Sequence, residues 1–295
     1  MGIVLYLNLV ISDKAPMKKK RLITYSLLAV LTGHATVTTA NELTLNNCGT
    51  IVGHEMGGWE FFAPIPSPNQ VKRVLRSNLK FVKISLRKLK DGTWVVHHDD
   101  DIAIYSSPLT NKKVLLSQLT WLDVQRLKRN PLATVPIYRL EEYIQIDQKR
   151  LCWMLTPKNP PDDNLVKLIL KLDIQDRSVF TTGGVTEVAF LASYPEEFGL
   201  NFAGRVGATE DALETYRPYL HRLWAMEVDP TPRSKEMIDA VHNLGLRAYL
   251  DSMRFSKSYE LFGSACHKVF AMGADITQTN RALACIKKMG ASLVP

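Results

Sequence analysis

After its first fifty residues the chain alternates short apolar runs with helical segments eight times, and few folds accept that rhythm. The predicted strands are residues 50–53, 81–86, 151–155, 178–181, 201–206, 223–228, 247–250 and 274–277. The predicted helices are 69–78, 117–128, 140–145, 163–172, 185–193, 208–216, 233–244 and 259–272, with 281–289 closing the chain. Repetition of strand and helix builds a parallel sheet with helices outside it. Eight such units close into a (β/α)8 TIM barrel; a doubly wound open sheet is the competing α/β arrangement. No Gly-x-Gly-x-x-Gly follows the first strand, which counts against a dinucleotide fold. No low-complexity linker interrupts the pattern, so residues 41–295 read as a single TIM-barrel domain.

In a barrel the loops that follow strands form the catalytic rim. Pro64, Pro66 and Pro68 mark such a loop after the first strand, and Pro157, Pro160 and Pro161 one after the third. Gly245 stands where the helix over 233–244 needs its C-cap. Trp121, with Leu119 and Leu122, reads as the buried face of a helix.

The N-terminal segment has a different character. Lys18, Lys19, Lys20 and Arg21 precede an apolar stretch over 22–31, and the small residues Thr38, Thr39 and Ala40 make a cleavage site before Asn41. This is the layout of a bacterial-type signal peptide, so the expected destination is the periplasm or the exterior. The apolar run is about half the length of a membrane span, although an uncleaved anchor is the alternative. Of the formal charge of +8, residues 1–40 contribute five basic and one acidic residue; the remaining 32 basic and 28 acidic residues leave +4. That surplus does not indicate nucleic acid, and it suits an anionic substrate or membrane surface. Four cysteines, Cys48, Cys152, Cys266 and Cys285, follow the segment with no Cys-x-x-Cys spacing. Export permits disulfides, but the sequence leaves their pairing open, and free core cysteines are the other reading.

The chemistry concentrates in residues 81–99. Val82, Ile84 and Leu86 alternate with Lys83, Ser85 and Arg87, giving a strand one apolar and one cationic, hydroxylic face. An Asp91-Gly92 turn follows, then Trp94-Val95-Val96, then His97-His98-Asp99. His54 ends the first strand. Adjacent strand ends in a barrel lie side by side, so His54 and His98 form a candidate acid–base pair around one phosphate, one taking a proton and the other giving one. Two capping or surface histidines are the plainer reading.

Gly53-His54, the strand over 82–86, and Leu89-Lys90-Asp91-Gly92-Thr93-Trp94-Val95-Val96-His97-His98-Asp99 together resemble the glycerophosphodiester phosphodiesterase family. That family opens with His-Arg-Gly, has an apolar-Glu-apolar-Asp strand and continues Lys-Asp-Gly-x-x-Val-Val-x-His-Asp. Val135-Pro136-Ile137 with Leu140-Glu141-Glu142 resembles its Ile-Pro-x-Leu-x-Glu segment, and 274–280 its closing strand. The resemblance implies a TIM-barrel phosphoric diester hydrolase with His54 and His98, rather than His97, as the catalytic pair.

Several positions depart from that pattern. The two strand carboxylates that hold the family's divalent cation fall on Lys83 and Ser85, and the third, from its Glu-x-Lys, falls on Thr156 while Lys158 is kept. The Arg after the first His is Glu55, and the closing Asp is Asn280. Calcium and magnesium need several oxygen ligands, largely carboxylates, so no metal or other cofactor is expected. Lys83 then stands where the cation stood, as basic side chains do in bacterial phosphatidylinositol-specific phospholipases C, which are similar in barrel plan. Attack by the substrate's own hydroxyl, giving a cyclic phosphate, competes with hydrolysis. The expected substrates are glycerophosphodiesters or lysophospholipid-type phosphodiesters, with Lys83, Ser85, Glu55 and Lys158 as substrate-binding residues. A catalytically degenerate phosphodiester-binding barrel is the alternative, and there Glu55 simply pairs with Lys83. Glu227, Asp229 and Asp251 are further counter-charges at later strand ends. Trp59, Phe61 and Phe62 on the first rim loop leave peripheral membrane contact open.

Overall fold

Parity along one strand explains the architecture. In β2 (Phe81–Lys88) the side chains of Val82, Ile84 and Leu86 join a core that also holds Val71, Leu140, Leu165 and Val188 from surrounding helices. The other parity begins with Phe81. It packs with Val52, Met154, Val179, Ala203, Ala225, Tyr249 and Ile276, one inward residue from each of seven further strands. The apolar face of β2 therefore turns outward to helices, and the face that carries Lys83 and Ser85 turns into a lumen.

The computed structural model describes residues 43–57, 66–102, 113–128, 136–206, 211–254 and 264–290. The strands are β1 (Ile51–Gly53), β2, β3 (Trp94–Val96), β4 (Tyr138–Arg139), β5 (Cys152–Pro157), β6 (Ser178–Thr181), β7 (Asn201–Val206), β8 (Leu223–Val228), β9 (Arg247–Asp251) and β10 (Ile276–Thr279). β1, β2, β5, β6, β7, β8, β9 and β10 pair in parallel around a ring, and β1 closes it by pairing with both β10 and β2. This is the expected (β/α)8 barrel. β3 and β4 are added antiparallel to β2 as a side ribbon. The β2–β3 turn uses the Asp91-Gly92 pair: Gly92 has φ +83°, and the Thr93 amide donates to Asp91 Oδ1 at 3.1 Å.

The chain enters at the bottom of the lumen. Leu45 and Cys48 lie against the inward residues there, and a disulfide ties Cys48 to Cys152 on β5, with Cα atoms 5.9 Å apart. A second disulfide joins Cys266 to Cys285, Cα atoms 6.1 Å apart, between helices Ser264–Ala271 and Ala282–Met289. All four cysteines are thus paired. Asp147, buried outside the lumen, is gripped by Arg177 and accepts from Trp153 Nε1 at 3.0 Å.

Helix boundaries differ from expectation where side chains supply caps. The predicted helix over 117–128 is two pieces, Leu116–Gln118 and Trp121–Lys128. Thr120 and Asp123 cap the second reciprocally: the Thr120 amide donates to Asp123 Oδ2 at 2.9 Å and the Asp123 amide to Thr120 Oγ1 at 3.2 Å. Its buried residue is Val124, whereas Leu122 is 53% exposed and does not belong to a buried face. The first helix stops at Val74; beyond it the backbone closes in i→i−3 bonds, and Ser77 Oγ donates to the Val74 carbonyl at 2.7 Å. Of the predicted helix over 208–216, the described part is one turn, Asp211–Glu214, followed by a 3-10 segment, Arg217–Arg222. Residues 1–40, Trp59, Phe61 and Phe62 lie outside the described residues. Among the described residues no helix is long and apolar enough to cross a membrane.

Candidate active site

β1 ends against a close neighbour. A Cβ on Gly53 would stand 2.6 Å from Leu79 Cδ2 and 3.1 Å from the Gly57 nitrogen, so a side chain there would displace Leu79 and press on the turn. The backbone then turns sharply, with Glu55 (φ 45°, ψ 48°) and Met56 (φ 60°, ψ 30°) both left-handed. Each such non-glycine residue costs about 1–2 kcal/mol, and strain of this kind clusters at functional sites. Gln70 Nε2 supports the turn by donating to the carbonyls of Glu55 (3.4 Å) and Met56 (3.3 Å). The turn carries Glu55 into the lumen, 6% exposed, where Ser85 Oγ donates to its Oε1 at 2.7 Å. Glu55 Oε2 is buried with no hydrogen-bond partner among the described residues.

His54, at the lip of the same strand, contacts Asn280 Oδ1 through Nδ1 at 2.9 Å, and its Nε2 lies 3.7 Å from Glu55 Oε1. Burial lowers its pKa to about 4, helped by the charges of Lys83 and His98 and opposed by Glu55 and the Asn280 bond. The two histidines after β3 separate cleanly. His97 is buried and donates through Nδ1 to the Asp99 carbonyl at 2.8 Å, a structural bond. The His98 side chain is 53% exposed, and its Nδ1 meets the Asp99 carboxylate at 2.7 Å. That bond, ahead of burial, sets the Asp99 carboxyl below its usual range. Arg87 holds this segment by donating through Nε to the His98 carbonyl at 3.0 Å.

Lys83 is 7% exposed and makes no direct ion pair or hydrogen bond among the described residues. Its charge nevertheless acts on His54 beside β1, on Lys158 beyond β5, on Glu227 of β8 and on Asp251 of β9. β2 and β8 face each other across the ring, so the charges of Lys83 and Glu227 act on one another across the lumen. Glu55 is engaged by Ser85, so the alternative in which it simply pairs with Lys83 is not seen among the described residues, and Glu227 and Asp251 act on Lys83 from across the lumen. Burial pushes the Glu227 carboxyl up and raises Asp251 to about 6, while Lys83 opposes both shifts. Burial also lowers the Lys158 ammonium, and Lys83 adds to that.

The far wall of the mouth holds two arginines that the sequence did not single out, both on Asp229, which it did and which is thereby engaged by them. Arg205 of β7 donates to Asp229 Oδ1 at 2.9 Å, and Arg254, just past β9, grips the same oxygen at 2.5 Å. The one signal for Arg205 was its inward parity with Ala203. Thr156 is also occupied, its Oγ1 bonded to Thr181 Oγ1 at 2.6 Å. Among the described residues no group of three His, Cys, Asp or Glu side chains is placed to hold a metal.

No protein-family model matches this chain, and none of the curated proteins does. Solved structures do. The chain is similar to a glycerophosphoryl diester phosphodiesterase from Parabacteroides distasonis, at 21% identity and a TM-score of 0.63, over 86% of this chain and 90% of that one. A glycerophosphodiester phosphodiesterase from Thermotoga maritima aligns over 81% of this chain and 98% of its own, at 14% identity and a TM-score of 0.59. An Oleispira antarctica phosphodiesterase, solved with the product sn-glycerol-3-phosphate, aligns over 81% and 95%, at 15% identity and a TM-score of 0.59. The fold is therefore the (β/α)8 barrel found in glycerophosphodiester phosphodiesterases.

Proposed function

We propose that the protein is an exported phosphodiesterase acting on glycerophosphodiesters or lysophospholipid-type phosphodiesters, with His54 and His98 as its acid–base pair and Lys83 in place of a cation. The observation that carries the reading is the buried Lys83 ammonium, without a direct partner among the described residues and within electrostatic reach of His54. A buried ammonium in that state is costly unless an anion completes it. A phosphodiester is an anion of the right kind, and the Oleispira barrel with sn-glycerol-3-phosphate supports a small phosphate-bearing ligand.

A divalent cation does not fit the donors present. The inward positions of β2 and β5 offer an ammonium and two hydroxyls, and both hydroxyls are already bonded, Ser85 to Glu55 and Thr156 to Thr181. Glu55 alone remains as a carboxylate on this wall, whereas such cations want several oxygen ligands. The residues themselves divide the work as follows. One imidazole takes the proton of the attacking hydroxyl, from water or from the substrate's own alcohol. As the new P–O bond forms and the old one breaks, the other imidazole gives its proton to the departing alkoxide. Lys83, with Lys158 behind it, steadies the phosphoryl oxygens as charge builds on them.

The test is a panel of glycerophosphodiesters and lysophospholipids, assayed with and without a strong chelator. Turnover unchanged by chelator is expected. Turnover that vanishes with chelator and returns with calcium or magnesium overturns the metal-free reading. Absence of turnover, with phosphodiester protecting the fold against heat, makes the barrel a binding module instead.

Export is part of the same proposal. The signal-like segment and the two disulfides favour an oxidising compartment. Mature protein from the periplasm or medium is expected to begin at Asn41; an intact N-terminus on cytoplasmic protein would refute it.

A further inference from the structure

The end of the barrel opposite the catalytic mouth carries a charge pattern that the phosphodiester chemistry does not use. The stretch over 66–80 holds Lys72, Arg73, Arg76 and Lys80 and no acidic residue. Lys149 and Arg150 stand beside it, and all six residues are exposed. We propose that this basic patch docks the barrel, bottom first, on an anionic lipid bilayer, with the mouth turned away from the membrane toward soluble phosphodiesters. The proposal rests on the export reading above and goes beyond it, because it selects soluble glycerophosphodiesters over lysophospholipids seated in the bilayer.

Two helix ends build the patch. Helices Pro68–Val74 and Leu140–Asp147 pack on each other, and each runs down toward the start of a strand, β2 at Phe81 and β5 at Cys152. Phe81 and Cys152 are partners in register, and the Cys152 amide donates to the Lys80 carbonyl at 2.8 Å. Arg150 reaches across to the first helix, its Nη2 donating to the Leu75 carbonyl at 3.2 Å. These contacts gather Arg76, Lys80, Lys149 and Arg150 from two distant segments. Lys149 pairs with Asp173 at 2.5 Å, whereas Lys72, Arg76, Lys80 and Arg150 make no ion pair among the described residues. Asp147 lies beneath them, but it is buried and held by Arg177. Helix C-termini attract cations, which accounts for Lys72 and Arg73 in the last turn. Arg76 and Lys80 lie past that turn, so helix polarity does not account for them.

The place of the patch selects the occupant. His54 and Lys158 follow the C-terminal ends of β1 and β5, while the patch lies at the N-terminal ends of β2 and β5. β2, eight residues long, sets the two ends about 23 Å apart at a rise of ~3.3 Å per residue. The chain also enters the barrel at the patch end, where Leu45 and Cys48 lie under the lumen. A membrane engaged by the preceding segment during export therefore meets this end rather than the mouth. Cations spread over one face suit a plane of many anionic headgroups, and their attractions add within a Debye length of about 10 Å at 0.1 M salt. Among the described residues the one exposed large apolar side chain, Leu122, is on helix Trp121–Lys128 and not in the patch, so the attachment is electrostatic and reversible.

The test sediments purified wild type with phosphatidylglycerol-containing vesicles and with pure phosphatidylcholine vesicles. Wild type is expected to bind the anionic vesicles alone and to leave them at about 1 M salt, where the Debye length is about 3 Å. The variant Lys72→Glu/Arg76→Glu/Lys80→Glu is expected to bind them at least about tenfold more weakly. A control of equal charge change away from the patch, Lys90→Glu/Lys167→Glu/Lys235→Glu, is expected to bind nearly as wild type does. Failure of wild type to bind anionic vesicles, equal binding to neutral ones, or equal weakening of both variants overturns the proposal. So does binding to soluble polyglutamate without binding to vesicles, which would assign the patch to an acidic protein. The wild-type arms decide the matter even where a variant fails to fold. Vesicle-bound protein is expected to cleave soluble glycerophosphodiesters as fast as free protein; a bound form that cleaves only lysophospholipid in the same vesicles overturns the orientation. Sedimentation needs no turnover, so binding without cleavage of any substrate sinks the enzyme reading while the docking surface stands.

Discussion

Replacing His98 by alanine is expected to lower kcat/KM for glycerophosphodiesters by about 10²–10⁴-fold, the usual worth of a positioned acid or base. The melting temperature is expected to move little. His98 is half exposed and its partner Asp99 more so, and an exposed pair contributes at most about 1 kcal/mol. His97→Ala is the informative control because the two histidines are adjacent in sequence but opposite in environment. His97 is buried, with Nδ1 committed to a backbone carbonyl and its amide donating to the Ser85 carbonyl at 3.0 Å. Its loss is expected to appear as reduced stability, with activity falling only as far as the β2–β3 ribbon loosens. Kinetics and thermal melts on both variants check this. An inactive His97→Ala beside a fully active His98→Ala would reverse the assignment.

The barrel was legible because its signals are local. Strand parity and turn residues act within a few positions, so 178–181, 201–206 and 223–228 could be bounded from the sequence, and the structure has β6, β7 and β8 there. Parity also indicated that Lys83 and Ser85 share a face. It did not say that the apolar face would be the outer one, which follows only from closure of the ring. The errors lie where a side chain bonds the main chain at a helix end: Thr120 with Asp123 caps the second piece of one predicted helix, and Ser77 bonds the last carbonyl of another. The site was less legible because its contacts join distant strands. Glu55 turns into the lumen only because two consecutive residues adopt left-handed backbone, a conformation that neither Glu nor Met advertises. The Arg205–Asp229–Arg254 cluster needs β7, β8 and β9 to be neighbours. Asn280 read as a lost carboxylate, and its bond to His54 became visible only when β10 came to lie beside β1.

Lys83→Met is expected to lower kcat/KM by about 10²–10³-fold, and added calcium or magnesium is expected not to restore it. The argument is electrostatic. Methionine keeps much of the length of the side chain and its apolar stem, so the lumen stays filled while the charge is removed. Two unit charges about 4 Å apart in a medium of effective dielectric constant near 20 interact by about 4 kcal/mol, and only the part that grows toward the transition state speeds the reaction. Removing one such stabilising group typically costs about 10²–10³ in kcat. Two neighbours sharpen the expectation. Without Lys83 the lumen keeps Glu55 but no ammonium to offset it or to meet the phosphodiester, while Glu227 and Asp251 lose a charge that opposes their upward shifts, so KM should rise along with the fall in kcat. His54 also loses one of the charges that lower its pKa, so the acid limb of any residual activity should move upward. Lys83→Arg keeps the charge on a broader head and should recover part of the rate. A Lys83→Met enzyme with wild-type kcat/KM and an unmoved acid limb would show that the ammonium is a bystander to the chemistry.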